Sequence, residues 1–342
     1  MKEVIKYFIS HFKRYLVFIP ISIFLLVISV TKTNKSIILK GDTTEFSNVI
    51  TVDNAYSQEG SFNTIYVISY VNTTPFLAFI SQNLLDGEVY DTPESSLNLS
   101  LMDQYIIGKI QYQSALSNSL VLAYNEAKKV RSDISIDYSF QGFYVTSFGI
   151  HSEFRINDRI IKIKAKSNMD NEVEFKDEAL FRYVINKRSV GDIYTVERDG
   201  IKIEIELKEE NTFSAYSLYS IKETSPKVTI YSEDVGGPSG GLLQTLSTYN
   251  QLVEEDLTHG LRVCGTGTIA YDGSVGSIGG VKEKIFTANR CHMDIFLCPK
   301  DNYEEALEAY NKLENPHMKL VMVDTFKTAI EYLQKGYKND FR

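Results

Sequence analysis

The stretch GTGTIAYDGSVGSIGGVKEKIFTANRC, residues 265–291, decides how the last third of the chain is read. Its first half reads as a strand pair around Asp272-Gly273, a dipeptide suited to a tight turn. Gly273, Gly276, Gly279 and Gly280 then pin a narrow loop, and Lys282 follows at the start of a helix. A phosphate loop requires G-x-x-x-x-G-K-[ST]. Here Val281 precedes the lysine and Glu283 follows it, so the close-approach glycine and the magnesium hydroxyl are both missing. A nucleotide site is rejected. Glu283 and Lys284 are read as ordinary solvated helix residues, whereas Lys282 has four glycines placed ahead of it.

Upstream lies GGPSGG, residues 236–241, directly before an apolar helical pattern. Serine is a favoured helix cap and Gly-Pro-Ser-Gly is good turn chemistry, so taken alone Ser239 reads as a cap. Taken together, the two stretches resemble the protease domain of the Lon family, and DIFLCPKDNYEEA downstream extends the likeness. The resemblance implies that Ser239 is the nucleophile and that Lys282, on the lysine position of I-G-G-x-K, is its base. Two departures stand out. Gly240 replaces the usual alanine, a change between small residues from which little effect is expected. Gly236 stands where ATP-driven Lon has an acidic residue, leaving Asp234 as the nearest carboxylate.

A serine hydroxyl is a weak nucleophile without a base, and a lysine with its ordinary pKa of about 10.4 is protonated at neutral pH. Burial disfavours the ammonium and brings lysine toward the range of roughly 7–8 that suits a general base. The Lys282 amine is therefore expected to be buried and within reach of Ser239 Oγ. Thr266 is either a plain strand threonine or the group that orients the amine. Backbone N–H groups at Ser239 and at Gly236 or Gly237 are the candidate oxyanion donors. None of His11, His151, His259, His292 and His317 lies in a triad-like motif. Neither a metal nor a cofactor is expected. Cys264, Cys291 and Cys298 have no zinc-ligand spacing, and an odd number argues against a disulfide framework.

Residues 134–208 give a second unit. VGDIYTVERDGIKIEIEL reads as a hairpin on Asp199-Gly200, preceded by strands and the helical pattern of KDEALFRYVINKR. This order resembles a PDZ domain, and the resemblance places a peptide-binding loop at Gly142, Phe143 and Tyr144. Asn157 occupies a turn position usually held by glycine and tolerates the left-handed conformation that the turn needs.

The N-terminus carries Lys2, Lys6, Lys13 and Arg14 ahead of YLVFIPISIFLLVISVT, residues 15–31, a run at the short end of the spanning range. No small-residue cleavage site follows it, so an anchor is expected rather than a signal peptide. The basic flank keeps residues 1–14 cytoplasmic and puts the remainder outside. Residues 36–133 are expected to form an extracellular extension of strands and helices, with Thr74 capping a helix that opens at Pro75 and a long helix near residues 102–129. Residues 211–342 alternate strands and helices, an α/β pattern.

The fold expected is thus an α/β (α+β) Lon-type protease domain after a PDZ-like β-rich domain, an extension and one transmembrane helix. The order resembles the membrane-anchored Lon-like proteases (YlbL/SepM type) of Gram-positive bacteria. It implies a single-pass cell-membrane protein whose extracellular domain is an ATP-independent serine endopeptidase with a Ser/Lys dyad. Secreted peptides or exposed segments of membrane-proximal proteins would be its substrates. The alternatives are a non-catalytic peptide-binding adaptor and an amidase acting on cell-wall peptides. The net charge of −8 argues against a nucleic-acid partner, and no Walker A segment occurs in the chain, so no ATP is expected. Both a ring and a single anchored chain are compatible with the resemblance.

Overall fold

The fold is taken from a computed structural model. It describes residues 2–97, 99–149, 151–168, 172–185, 187–209, 213–231 and 237–335. In chain order the elements are α1 (Lys2–Val30), β1 (Lys35–Glu45), β2 (Ile50–Val52), β3 (Ser61–Tyr70), α2 (Pro75–Leu84), β4 (Glu88–Asp91), α3 (Glu94–Leu97) and α4 (Leu101–Lys128). Then come β5 (Ser135–Phe148), β6 (Arg159–Lys164), β7 (Glu172–Glu174), α5 (Glu178–Ile185), β8 (Ile193–Arg198), β9 (Ile201–Glu206), β10 (Phe213–Ser225) and β11 (Val228–Ile230). The last part holds α6 (Gly241–Leu252), β12 (Arg262–Gly265), β13 (Thr268–Ile269), β14 (Val275–Gly276), α7 (Val281–Arg290), β15 (Ile295–Pro299), α8 (Tyr303–Tyr310), β16 (Lys319–Val323) and α9 (Phe326–Lys335).

Two compact units divide the chain. The first comprises residues 2–40 and 67–97, the second residues 41–66 and 99–335. In the first unit β4 pairs antiparallel with the opening residues of β1, from Lys35↔Asp91 to Ile38↔Glu88. The Thr74 hydroxyl accepts the Leu77 N–H and Pro75 opens α2, as the sequence suggested. The helix α1 runs through the segment expected to be an anchor. Among the described residues, no helix is long and apolar enough to cross a membrane.

In the second unit a parallel sheet is ordered β16-β15-β12-β3, with β1 beyond β3. The helix α6 runs through the core, and every one of its residues is buried. A helix buried all round has only internal partners for its polar side chains, and Gln244 Nε2 and Thr248 Oγ1 find none. Thr245 donates to the Gly241 carbonyl, while Gln251 accepts from Val52 N–H and donates to the Ile50 carbonyl. Leu242 and Leu246 share one core with Phe46, Phe62, Leu120 and Tyr124, each fully buried apolar side chain contributing about 1.5–3 kcal/mol. Residues expected to lie in a separate extension thus help to build the core around α6.

A second sheet, β10-β5-β6-β8-β9 with β7 on β6, has its own core around Phe143, Phe154, Tyr194 and Phe213. The hairpin turn has φ of 52° at Asp199 and 78° at Gly200, both left-handed as a type I′ turn requires. Asn157 also adopts a left-handed φ of 71°. Inside this sheet, buried Asp158 pairs with Arg198 at 2.7 Å. The strand β10 carries four serines, Ser214, Ser217, Ser220 and Ser225, and has no strong alternation. Its ladder with β5 holds it, from Phe213↔Phe148 to Ser225↔Ser135.

Candidate active site

Ser239 sits in the turn entering α6, where the Gly241 N–H returns to the Pro238 carbonyl. Gly240 is the N-cap, and no side chain caps the helix. The Ser239 hydroxyl is therefore not spent on a cap. Its own carbonyl is fixed instead, accepting from the Gly267 N–H at 2.8 Å and from Thr266 Oγ1 at 3.0 Å. Gly267 adopts φ 142°, and a Cβ there would lie 2.7 Å from Val275 Cγ1, so glycine is needed where β12 gives way to β13.

The helix α7 begins after Gly280, which is left-handed at φ 71°. Val281, Lys284, Ile285 and Ala288 are all buried, following the i, i+3, i+4, i+7 stripe of a helix face. Lys284 is 2 % exposed. Its amine lies 2.8 Å from Ser239 Oγ and 2.9 Å from Thr266 Oγ1. Burial alone brings it down to about 7.

The expectation for Lys282 is therefore corrected. Its amine is not buried beside Ser239. It lies partly exposed, 3.8 Å from Glu305 Oε1. The reason is helical period: about 100° per residue turns Lys282 away from the face that Val281 and Lys284 share. Thr266 is fully buried, and the structure joins it to both Ser239 and Lys284.

Of the other sequence candidates, Gly236 lies outside the described residues. Gly237, at φ 87°, donates its N–H to the Gly108 carbonyl at 3.3 Å, so that donor is not directed at an oxyanion here. Gly142, Phe143 and Tyr144 form no loop. They lie within β5, with β10 along one side and β6 meeting Phe143 and Tyr144 on the other. The Phe143 ring is buried and stacks on Phe181 at 3.5 Å between centroids. Among the described residues no group of histidines, cysteines and carboxylates is arranged to hold a metal ion. Cys264 and Cys298 are buried, and burial raises both thiols.

Residues 216–335 match the family model of the Lon protease (S16) C-terminal proteolytic domain. This stretch is similar to a Lon-type proteolytic domain. It carries Ser239, Thr266 and Lys284 together. Among similar proteins, the Lon protease of Campylobacter jejuni is 35% identical over 96 residues, covering 28% of this chain and 12% of that protein. The Lon protease of Chlamydia pneumoniae is 38% identical over 79 residues, 22% and 9% of the two chains. That of Clostridium acetobutylicum is 30% identical over 105 residues, 30% and 13%. The matched part thus spans about a tenth of these relatives' length.

Proposed function

We propose that this chain is a serine peptidase in which Ser239 is the nucleophile and Lys284 its general base. The observation that carries the reading is the 2.8 Å separation between a buried amine and Ser239 Oγ. With the amine uncharged, its lone pair can accept the Ser239 proton as Oγ attacks a peptide carbonyl. Thr266 Oγ1 accepts an N–H of that amine while donating its own hydroxyl to the Ser239 carbonyl, which turns the lone pair toward Oγ. The ammonium then passes its proton to the leaving amine. A water, deprotonated by the same lysine, releases the acyl group from Ser239. The relatives' name, Lon protease, supports peptide-bond chemistry.

The finer reading is of an ATP-independent endopeptidase on a single-pass anchor, with its active site outside the cell membrane. Its support is the basic flank and apolar run of residues 2–31, the outward-facing Phe18, Phe24 and Leu26 of α1, and a sequence with no phosphate loop. Such an enzyme acts on secreted peptides or exposed segments. The likeness of residues 134–208 to a PDZ domain rests on strand order and the Asp199-Gly200 hairpin. Incubating the full-length chain with a peptide library, without nucleotide, tests the reading by mass spectrometry. Cleavage that disappears in Ser239→Ala is expected. Cleavage that persists in that variant would remove Ser239 from the chemistry.

A further inference from the structure

In the first unit, α2 is patterned in reverse for a helix facing water. Its only buried residue is Ser81, whose Oγ has no hydrogen-bond partner. Phe76 and Phe79, one turn apart, lie on the exposed side, with Phe79 62 % exposed. Leu84, at the end of the helix, is 71 % exposed, and Leu85 after it is exposed as well. The last residues of β3 add Ile68 and Tyr70 to the exposed apolar surface. A helix on a water-facing surface turns its apolar stripe to the core and its hydroxyls out. Charge is missing too: from Gly60 to Leu85 the chain has no Asp, Glu, Lys or Arg. An exposed apolar surface of this kind marks a contact with a protein or a membrane.

What covers it follows from α1. Thr33, just past that helix, donates both its N–H and its hydroxyl to the Thr73 carbonyl, at 2.9 and 2.8 Å. The Thr73 N–H returns to the Lys35 carbonyl at 2.7 Å. Pro75 opens α2 two residues later, so the start of α2 is fixed beside the point where the chain leaves α1, and the two helices are in contact. The final turns of α1 are themselves apolar and exposed at Phe24, Leu26 and Val30. The exposed apolar surface of α2 therefore begins where that of α1 ends. We propose that α2 and the end of β3 rest on the surface of the bilayer that α1 enters, with Phe79 and Leu84 seated among the lipids. A helix lying in that plane sinks its apolar side chains roughly 5–10 Å into the boundary between headgroups and acyl chains. Tyrosine is enriched at the headgroup level, which suits Tyr70. The inference rests on reading α1 as the anchor.

The chain has no tryptophan, so a single one reports its own surroundings. Phe79→Trp and, separately, Phe24→Trp are introduced into the full-length chain, and each is reconstituted in phosphatidylcholine vesicles brominated either high or low on the acyl chains. Both sites are exposed on their helices, so neither exchange disturbs a core. Phe79→Trp should emit to the blue of a water-exposed tryptophan and lose more emission to the high bromines than to the low ones. Phe24→Trp, in the middle of the anchor's apolar run, should lose more to the low bromines. Water-like, unquenched emission from Phe79→Trp, with Phe24→Trp quenched, would overturn the docking of α2 and leave the anchor standing. Quenching of Phe79→Trp alone would support the docking while contradicting the anchor, and quenching of neither would contradict both. Blue-shifted emission from Phe79→Trp that neither lipid quenches would mean that another protein surface, such as a second copy of the chain, covers α2, and would also overturn the proposal.

Discussion

The Lys284 amine lies 2.8 Å from Ser239 Oγ, whereas the Lys282 amine, two residues earlier on the same helix, lies 3.8 Å from Glu305. One lysine is held in the core beside a hydroxyl. The other faces outward beside a carboxylate. That difference in surroundings assigns the two residues their roles, because only burial without a counter-charge leaves an amine uncharged near neutral pH.

The rate of peptide cleavage should follow the neutral form of Lys284. With the amine brought down to about 7, kcat/KM should rise through pH 7 and level off above it. A rate profile from pH 5.5 to 9 checks this. A profile that is flat across that range would contradict a lysine base.

Stability should carry the same signature with a definite sign. The unfolded chain binds a proton at Lys284 up to about pH 10.4, while the folded chain releases it near 7. Between those values the unfolded state holds more protons, so the lysine's contribution becomes more favourable as pH rises, and its cost is fully present below 7. Lys284→Met removes that cost. Its denaturation midpoint should exceed that of wild type at pH 7, and the gain should shrink as pH rises toward 10. Urea unfolding at pH 7 and pH 9.5 makes the comparison.

Thr266→Val should lower kcat by roughly tenfold, the scale of one hydrogen bond of about 1–1.5 kcal/mol, and leave KM nearly unchanged. The side chain touches the base and the serine carbonyl. Thr266→Ser, which keeps the hydroxyl, should restore most of the rate.

Gly267→Ala should damage both fold and activity. The new Cβ would meet Val275 Cγ1 at 2.7 Å, at a φ that residues with side chains rarely adopt. A loss of about 1–3 kcal/mol in urea unfolding is expected for that strain. Gly240→Ala should be near neutral, since its nearest neighbour would be Thr64 Oγ1 at 3.3 Å.

Much of this was legible in the sequence wherever the signal was local. Asp199-Gly200 named its hairpin, Thr74-Pro75 its helix start and Asn157 its left-handed turn, because each depends on a residue's own backbone preference. The glycines of 273–280 and the turn around Ser239 marked two halves of one site. The choice between Lys282 and Lys284 needed one more step. Val281, Lys284, Ile285 and Ala288 form an apolar stripe interrupted only by a lysine, a pattern already present in the letters. The strand β10 was hidden because its serines blur the alternation and its hold comes from backbone pairing with β5. The parallel pairing of β3 with β12 joins residues about 200 positions apart, from Arg262↔Ser61 to Gly265↔Thr64, and no local pattern encodes it.

The most direct measurement of the central claim is the rate at which a serine-directed phosphonate labels Ser239 in wild type, Lys282→Ala and Lys284→Ala at pH 8. Lys282→Ala should react within a few-fold of wild type. Lys284→Ala should be slower by about 10²–10⁴-fold, the usual contribution of a positioned base. The opposite ranking, with Lys284→Ala labelled at the wild-type rate and Lys282→Ala unreactive, would contradict the account.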